Sequence, residues 1–168
     1  QHNPNNSGWQ LTGSSYFANP IFVTVTAAAI QGDQYEVNNN SGQAYSLPVN
    51  FSGNSAMVST PGSNLHNATD QDFYKVVLPA GNNYAITARI HDSWNSGNGN
   101  SYSVDGVWAW STDGNSWSNA YDDVMSGNIV VNGGGTVWFQ VAPYVAGGIG
   151  TYLLDLNIQR GANVGITE

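Results

Sequence analysis

Asp70 and Asp72 stand two residues apart at the mouth of an alternating segment, Asp70-Gln-Asp-Phe-Tyr-Lys-Val-Val-Leu-Pro-Ala-Gly81. On an extended chain that spacing projects both carboxylates to one side, where they repel unless solvated or bridged by a cation. A second oxygen-rich group, Asp33, Glu36 and Asn38, precedes them. If the two loops meet, these five residues supply most of the oxygens that calcium requires, about six to eight at roughly 2.3–2.6 Å. The plain alternative is a set of solvated turn acids whose side chains bond to their own backbone. Asp122-Asp123, with Asp92 and the Asn/Gly loop after it, form a poorer second set.

Catalytic patterns are thin. His2, His66 and His91 are scattered. His91-Asp92 offers a base and an orienting acid, but no serine sits in a nucleophile-elbow pattern. There is no H-E-x-x-H and no phosphate loop. Asp70 and Asp72 lie too close on one strand to flank a glycosidic bond. An enzyme would need a hollow joining His91 or His66 to an acid, and none is expected.

Composition sets the setting. The 168 residues suffice for one domain with a sizeable core. No cysteine is present, so there is neither a disulfide framework nor a thiolate ligand or nucleophile. Lys75, Arg89 and Arg160 are the only Lys or Arg against 11 carboxylates, a formal net charge of -8. That excludes nucleic acid as a natural partner and disfavours anionic lipid. No apolar run is long enough to span a bilayer. Abundant Asn, Ser and Gly with almost no Lys fit a secreted or cell-surface protein, and no signal peptide is visible, as expected for a chain that starts beyond its cleavage site. Sequons at Asn5, Asn39, Asn50 and Asn67 add little in so Asn- and Ser-rich a chain.

The elements that must position these groups are strands. Ile21-Phe-Val-Thr-Val-Thr-Ala27 is rich in β-branched residues. Further strands are predicted at 45–49, 54–59, 72–78, 83–91, 104–111, 127–131, 135–143 and 150–158, with a short edge strand in 163–168. Pro61-Gly62, Pro79-Ala-Gly81, the 95–100 Asn/Gly run, Asp113-Gly114, Asn132-Gly-Gly-Gly135 and Gly147-Gly148 punctuate them. No segment has helical periodicity. The fold class is therefore all-β, an antiparallel sandwich of about 8–10 strands. Trp108 to Trp117 form a hairpin about Asp113-Gly114 that resembles an Asp-box turn, a structural pattern without chemistry.

Aromatics supply the other binding chemistry, since flat rings recognise sugars or collagen-like polymers. Trp94, Trp108, Trp110, Trp117, Tyr121 and Tyr144 are the pool. Most belong in a core; Trp94, Trp117 and Tyr121 are the candidate ligand-binding residues. Residues 1–32 form an N-terminal extension to the 33–168 domain. Its strand, with Ile21, Phe22, Val23 and Val25, either edges its own sheet or completes the sheet of another copy, building a head-to-tail fibre.

Taken in order, Glu36-Val-Asn-Asn39 with Ala44, Asp70-Gln-Asp-Phe-Tyr-Lys-Val, Gln140-Val-Ala-Pro-Tyr144 and Gly150-Thr-Tyr-Leu-Leu-Asp-Leu resemble the bacterial pre-peptidase C-terminal domain, over roughly residues 33–160. That family includes the collagen-binding domains of clostridial collagenases. The resemblance implies a jelly-roll-like sandwich attached to a secreted hydrolase, which binds substrate polymers, aids secretion or is removed in maturation. It also implies calcium held by Glu36, Asn38, Asp70 and Asp72. Gln34 and Val37 depart from the family's Glu and Pro, leaving Asp33 as a substitute ligand. The chain thus reads as a non-catalytic extracellular module for attachment to a glycan or collagen-like polymer, with a fibre subunit and a carbohydrate-binding module of a secreted hydrolase as alternatives.

Overall fold

A computed structural model describes residues 30–94 and 101–162. The strand expected at Ile21–Ala27, with its assembly residues Ile21, Phe22, Val23 and Val25, lies outside them, as does the 163–168 tail. The strands are β1 (Tyr45–Ser46), β2 (Ser55–Ser59), β3 (Asn64–Leu65), β4 (Asp72–Leu78), β5 (Asn82–His91), β6 (Gly106–Ser111), β7 (Tyr121–Asp122), β8 (Ile129–Val131), β9 (Gly135–Pro143), β10 (Gly150–Thr151) and β11 (Leu153–Ala162). Among the described residues a single 3-10 turn, Ser41–Gln43, is capped by the Asn40 side chain. No helix among the described residues is long and apolar enough to cross a membrane.

Five strands form one sheet in the order β1-β4-β9-β6-β7, four form a second in the order β2-β11-β5-β8, and β10 and β3 pair in a small third. Between β2 and β11 the chain repeatedly changes sheet, as a jelly-roll-like sandwich requires. Alternation does the work of closing the core. Tyr74, Val76 and Leu78 of β4 and Val137, Phe139 and Val141 of β9 turn inward to meet Ile86, Ile90, Leu154 and Ile158 of the second sheet. Val77, on the opposite face of β4, is exposed.

Two details of strand pairing depart from the sequence expectation. The sandwich is not wholly antiparallel: β1 pairs with β4 in parallel, Tyr45 opposite Tyr74. The chain leaves the first sheet after β1, passes through β2 and β3, and returns in the same direction, the crossover that parallel pairing needs. The run 150–158 is also two strands rather than one. Gly150–Thr151 pairs with β3, and pairing with β5 and β2 begins only beyond Tyr152. Gly150 permits the break: its φ is +145, and a Cβ there would lie 2.5 Å from Ser103 Oγ.

Candidate metal centre at the rim of the sandwich

The loop 33–38 folds against the start of β4. Asp33 fixes its beginning: Oδ1 accepts from Tyr35 N at 2.8 Å and Oδ2 from Asn64 N at 2.7 Å. Its end is fixed by Phe73 N, which donates to the Asn38 carbonyl at 2.8 Å. The loop before β4 is closed by Asp70, whose Oδ2 accepts from His66 N at 2.7 Å. The two acid-bearing loops therefore meet, with Asn38, Asp70 and Asp72 all buried.

Glu36 joins the two sides of the cluster. Its Oε1 lies 2.9 Å from His66 Nδ1, and Asp70 Oδ2 lies 2.6 Å from the same nitrogen. These three residues bring one ligand atom each to within 4.8 Å of one another, and among the described residues no other group of three His, Asp or Glu does so. On the other side, the end of the Asn38 amide is 3.0 Å from Asp72 Oδ1 and 3.2 Å from Glu36 Oε2. With nitrogen turned toward them, Asn38 donates to both. With oxygen turned toward them, three oxygens face one another at a spacing that a shared cation stabilises.

Charge balance points the same way. Asp33, Glu36, Asp70 and Asp72 crowd together, and His66 is the basic group paired with them. Burial, partly offset by the Tyr152 hydroxyl and reinforced by Asp70, Asp33 and Glu36, raises the Asp72 carboxyl to about 8. Burial likewise raises Asp33, against the two backbone N–H groups it accepts. Asp70 Oδ1 is buried with no hydrogen-bond partner. A buried acceptor without a donor is costly, and an ion resolves it.

Behind the cluster a chain of hydroxyls runs into the core. Tyr152 donates to Asp72 Oδ2 at 2.5 Å, meets the Tyr74 hydroxyl at 2.7 Å, and Tyr74 meets Ser63 Oγ at 2.9 Å. Burial pushes both phenols well above their ordinary range, so they stay protonated donors.

Of the five residues expected at a metal site, the structure brings Glu36, Asn38, Asp70 and Asp72 together and gives Asp33 a different task. Both Asp33 oxygens hold backbone, which makes it the clamp of the Glu36 loop. Sequence reasoning missed His66 and Tyr152. His66 stands four residues before Asp70, a spacing that a tight turn brings into contact.

The aromatic candidates divide. Tyr121 stacks on buried Trp108, centroids 4.6 Å apart, and Trp117 sets its edge on Phe73 at 5.5 Å, so both are packing residues. Trp94 is 78% exposed.

A hollow joining a histidine to an acid was not expected, yet one exists. His91 Nε2 lies 2.8 Å from Asp155 Oδ2 in a hollow shared with Met57, Arg89 and Met125. The strand register causes it: Leu153 pairs with His91, so Asp155 is the diagonal neighbour on β11. His91 Nδ1 has no hydrogen-bond partner, so the pair has an orienting acid but no hydroxyl nucleophile bonded to the ring. Neither family models nor curated proteins give a match to this chain.

Proposed function

We propose that the chain is a non-catalytic β-sandwich module whose rim is locked by calcium and which works outside the cell by attaching to a polymer. The observation that carries the calcium reading is Asp70 Oδ1, buried without a partner, while Asp70 Oδ2 and Glu36 share one imidazole nitrogen and Asn38 links Glu36 to Asp72. Those four side chains would hold the ion, with water completing the shell. Bound calcium would neutralise the cluster and tie the loop 33–38 to the mouth of β4. Few charged residues, almost no Lys and the Asn-, Ser- and Gly-rich composition support an extracellular setting. The test is retention of the purified chain on collagen-like and glycan resins, with calcium and with chelator, beside calcium titration calorimetry. Calcium-dependent retention supports the reading; calorimetry without a heat of binding removes its metal.

One observation favours a second reading, self-assembly. β2 is an edge strand whose sequence, Ser55-Ala-Met-Val-Ser59, contains no charge or proline to discourage pairing. A strand from another copy could extend the sheet there. Particle size measured with and without residues 1–30 tests this: a shift from polymer to monomer on deletion supports it, and equal sizes discard it.

A further inference from the structure

We propose that the hollow between Trp94 and Tyr144 is a separate recognition site that takes one basic side chain, a lysine ammonium or arginine guanidinium, from an extracellular polypeptide. Trp94 and Tyr144 are 78% and 58% exposed, and with Asp105, Asp122 and Asp123 they line a hollow of about 270 Å³. No Lys or Arg is among those lining residues. A cation over an aromatic face is attracted by the ring quadrupole, and carboxylates around the same hollow add charge of the right sign.

The walls are preset. Asp92 is fully buried and accepts from Trp94 N at 3.0 Å and from Gly106 N at 2.9 Å, tying the backbone of Trp94 to β6. Tyr144 N donates to the Asp105 carbonyl at 2.9 Å, which holds the second ring on the other side. Asp122 lines the hollow and its Oδ1 is buried with no hydrogen-bond partner, so little around that oxygen offsets the carboxylate beside the hollow. Burial first, then neighbouring carboxylates, raises Asp105 and Asp123, with Arg89 acting against the rise at Asp123.

Size and spacing choose between cations. Among the described residues, no three of these carboxylates bring ligand atoms within 4.8 Å of one another as the rim cluster does, so the hollow is too open for one bare metal ion. Asp92, Asp122 and Asp123 likewise do not form such a group. A volume of about 270 Å³ falls just below the roughly 300–1,000 Å³ of sites that enclose drug-sized ligands, and suits one side chain better than a run of sugar rings.

This inference gives the attachment reading its partner chemistry, rests on that reading for the extracellular setting alone, and is independent of calcium. The test titrates the full chain with short lysine and arginine peptides, a glutamate peptide and a chitosan oligomer, following tryptophan emission and calorimetric heat. Basic peptides should bind and the glutamate peptide should not. W94A and D122N should each weaken binding about tenfold or more, the scale of a binding hot spot, while W94F retains most of it. D155N removes the same charge on the other sheet and should bind like the unaltered protein. Thermal unfolding in calcium and in chelator, run on every variant, confirms folding and reads the rim separately. Equal weakening by D155N and D122N, preference for chitosan, or absence of peptide binding with a calcium response intact would overturn this inference alone. Peptide binding without any calcium response would overturn the rim instead.

Discussion

The Tyr152 hydroxyl donates to Asp72 Oδ2 across 2.5 Å, joining the residue that separates β10 from β11 to the first residue of β4. Tyr152→Phe keeps the ring and deletes that donor, leaving Asp72 and Tyr74 without a shared partner. Its expected cost is about 1–3 kcal/mol in denaturant unfolding, with weaker calcium binding by calorimetry. Wild-type values for both would mean that Tyr152 acts only as core volume.

Calcium held only by the folded state stabilises it, by about 2.7 kcal/mol at a hundredfold excess over Kd. Chelator is therefore expected to lower the melting temperature of the unaltered protein. Asp70→Asn, which neutralises the buried ligand, is expected to melt at one temperature with or without calcium. An unaltered protein that ignores chelator would sink the metal centre.

The rim also gives a pH dependence with a definite sign. Unfolded Asp72 titrates near 3.8 and folded Asp72 at about 8, so between those values the native state holds a proton the unfolded chain has released. Stability of the chelated protein must then fall as pH rises through that window. Calcium competes with the proton, so its binding strengthens over the same range. Urea unfolding at the acidic and basic ends of the window, each with calcium and with chelator, measures both effects; a chelated protein that gains stability toward the basic end contradicts the assignment.

Gly134 tests the turn into β9. Its φ is +88, and a Cβ there would lie 2.4 Å from the Pro79 carbonyl oxygen. Gly134→Ala combines a disfavoured backbone with a clash against main chain, at an expected cost of about 1–3 kcal/mol. A melting temperature equal to wild type would show that the Pro79–Gly81 turn gives way freely.

The strands from 72–78 to 135–143 were legible because inward and outward residues alternate and strong turns separate them. Tyr74, Val76 and Leu78 announce a buried face without reference to any partner. Glu36, Asn38, Asp70 and Asp72 could be proposed as a group from residue type and spacing, but their meeting could not. Asp33 and Asp70 look alike in sequence, yet one bonds backbone with both oxygens and the other leaves one oxygen bare. That difference depends on where Asn64 and His66 fall, a matter of loop closure rather than local pattern.

Local chemistry alone thus determined the all-β class, the core faces and the acidic character of the chain, because pleat period and turn preference act over a few residues. Tertiary structure decided the rest: the parallel return of β1, the break at Tyr152, His66 among the acids, Trp117 and Tyr121 as packing residues, and Trp94 and Tyr144 lining one hollow with three carboxylates. Each of these depends on chain segments far apart in sequence being brought together by a shared core, and no neighbour-by-neighbour pattern encodes that.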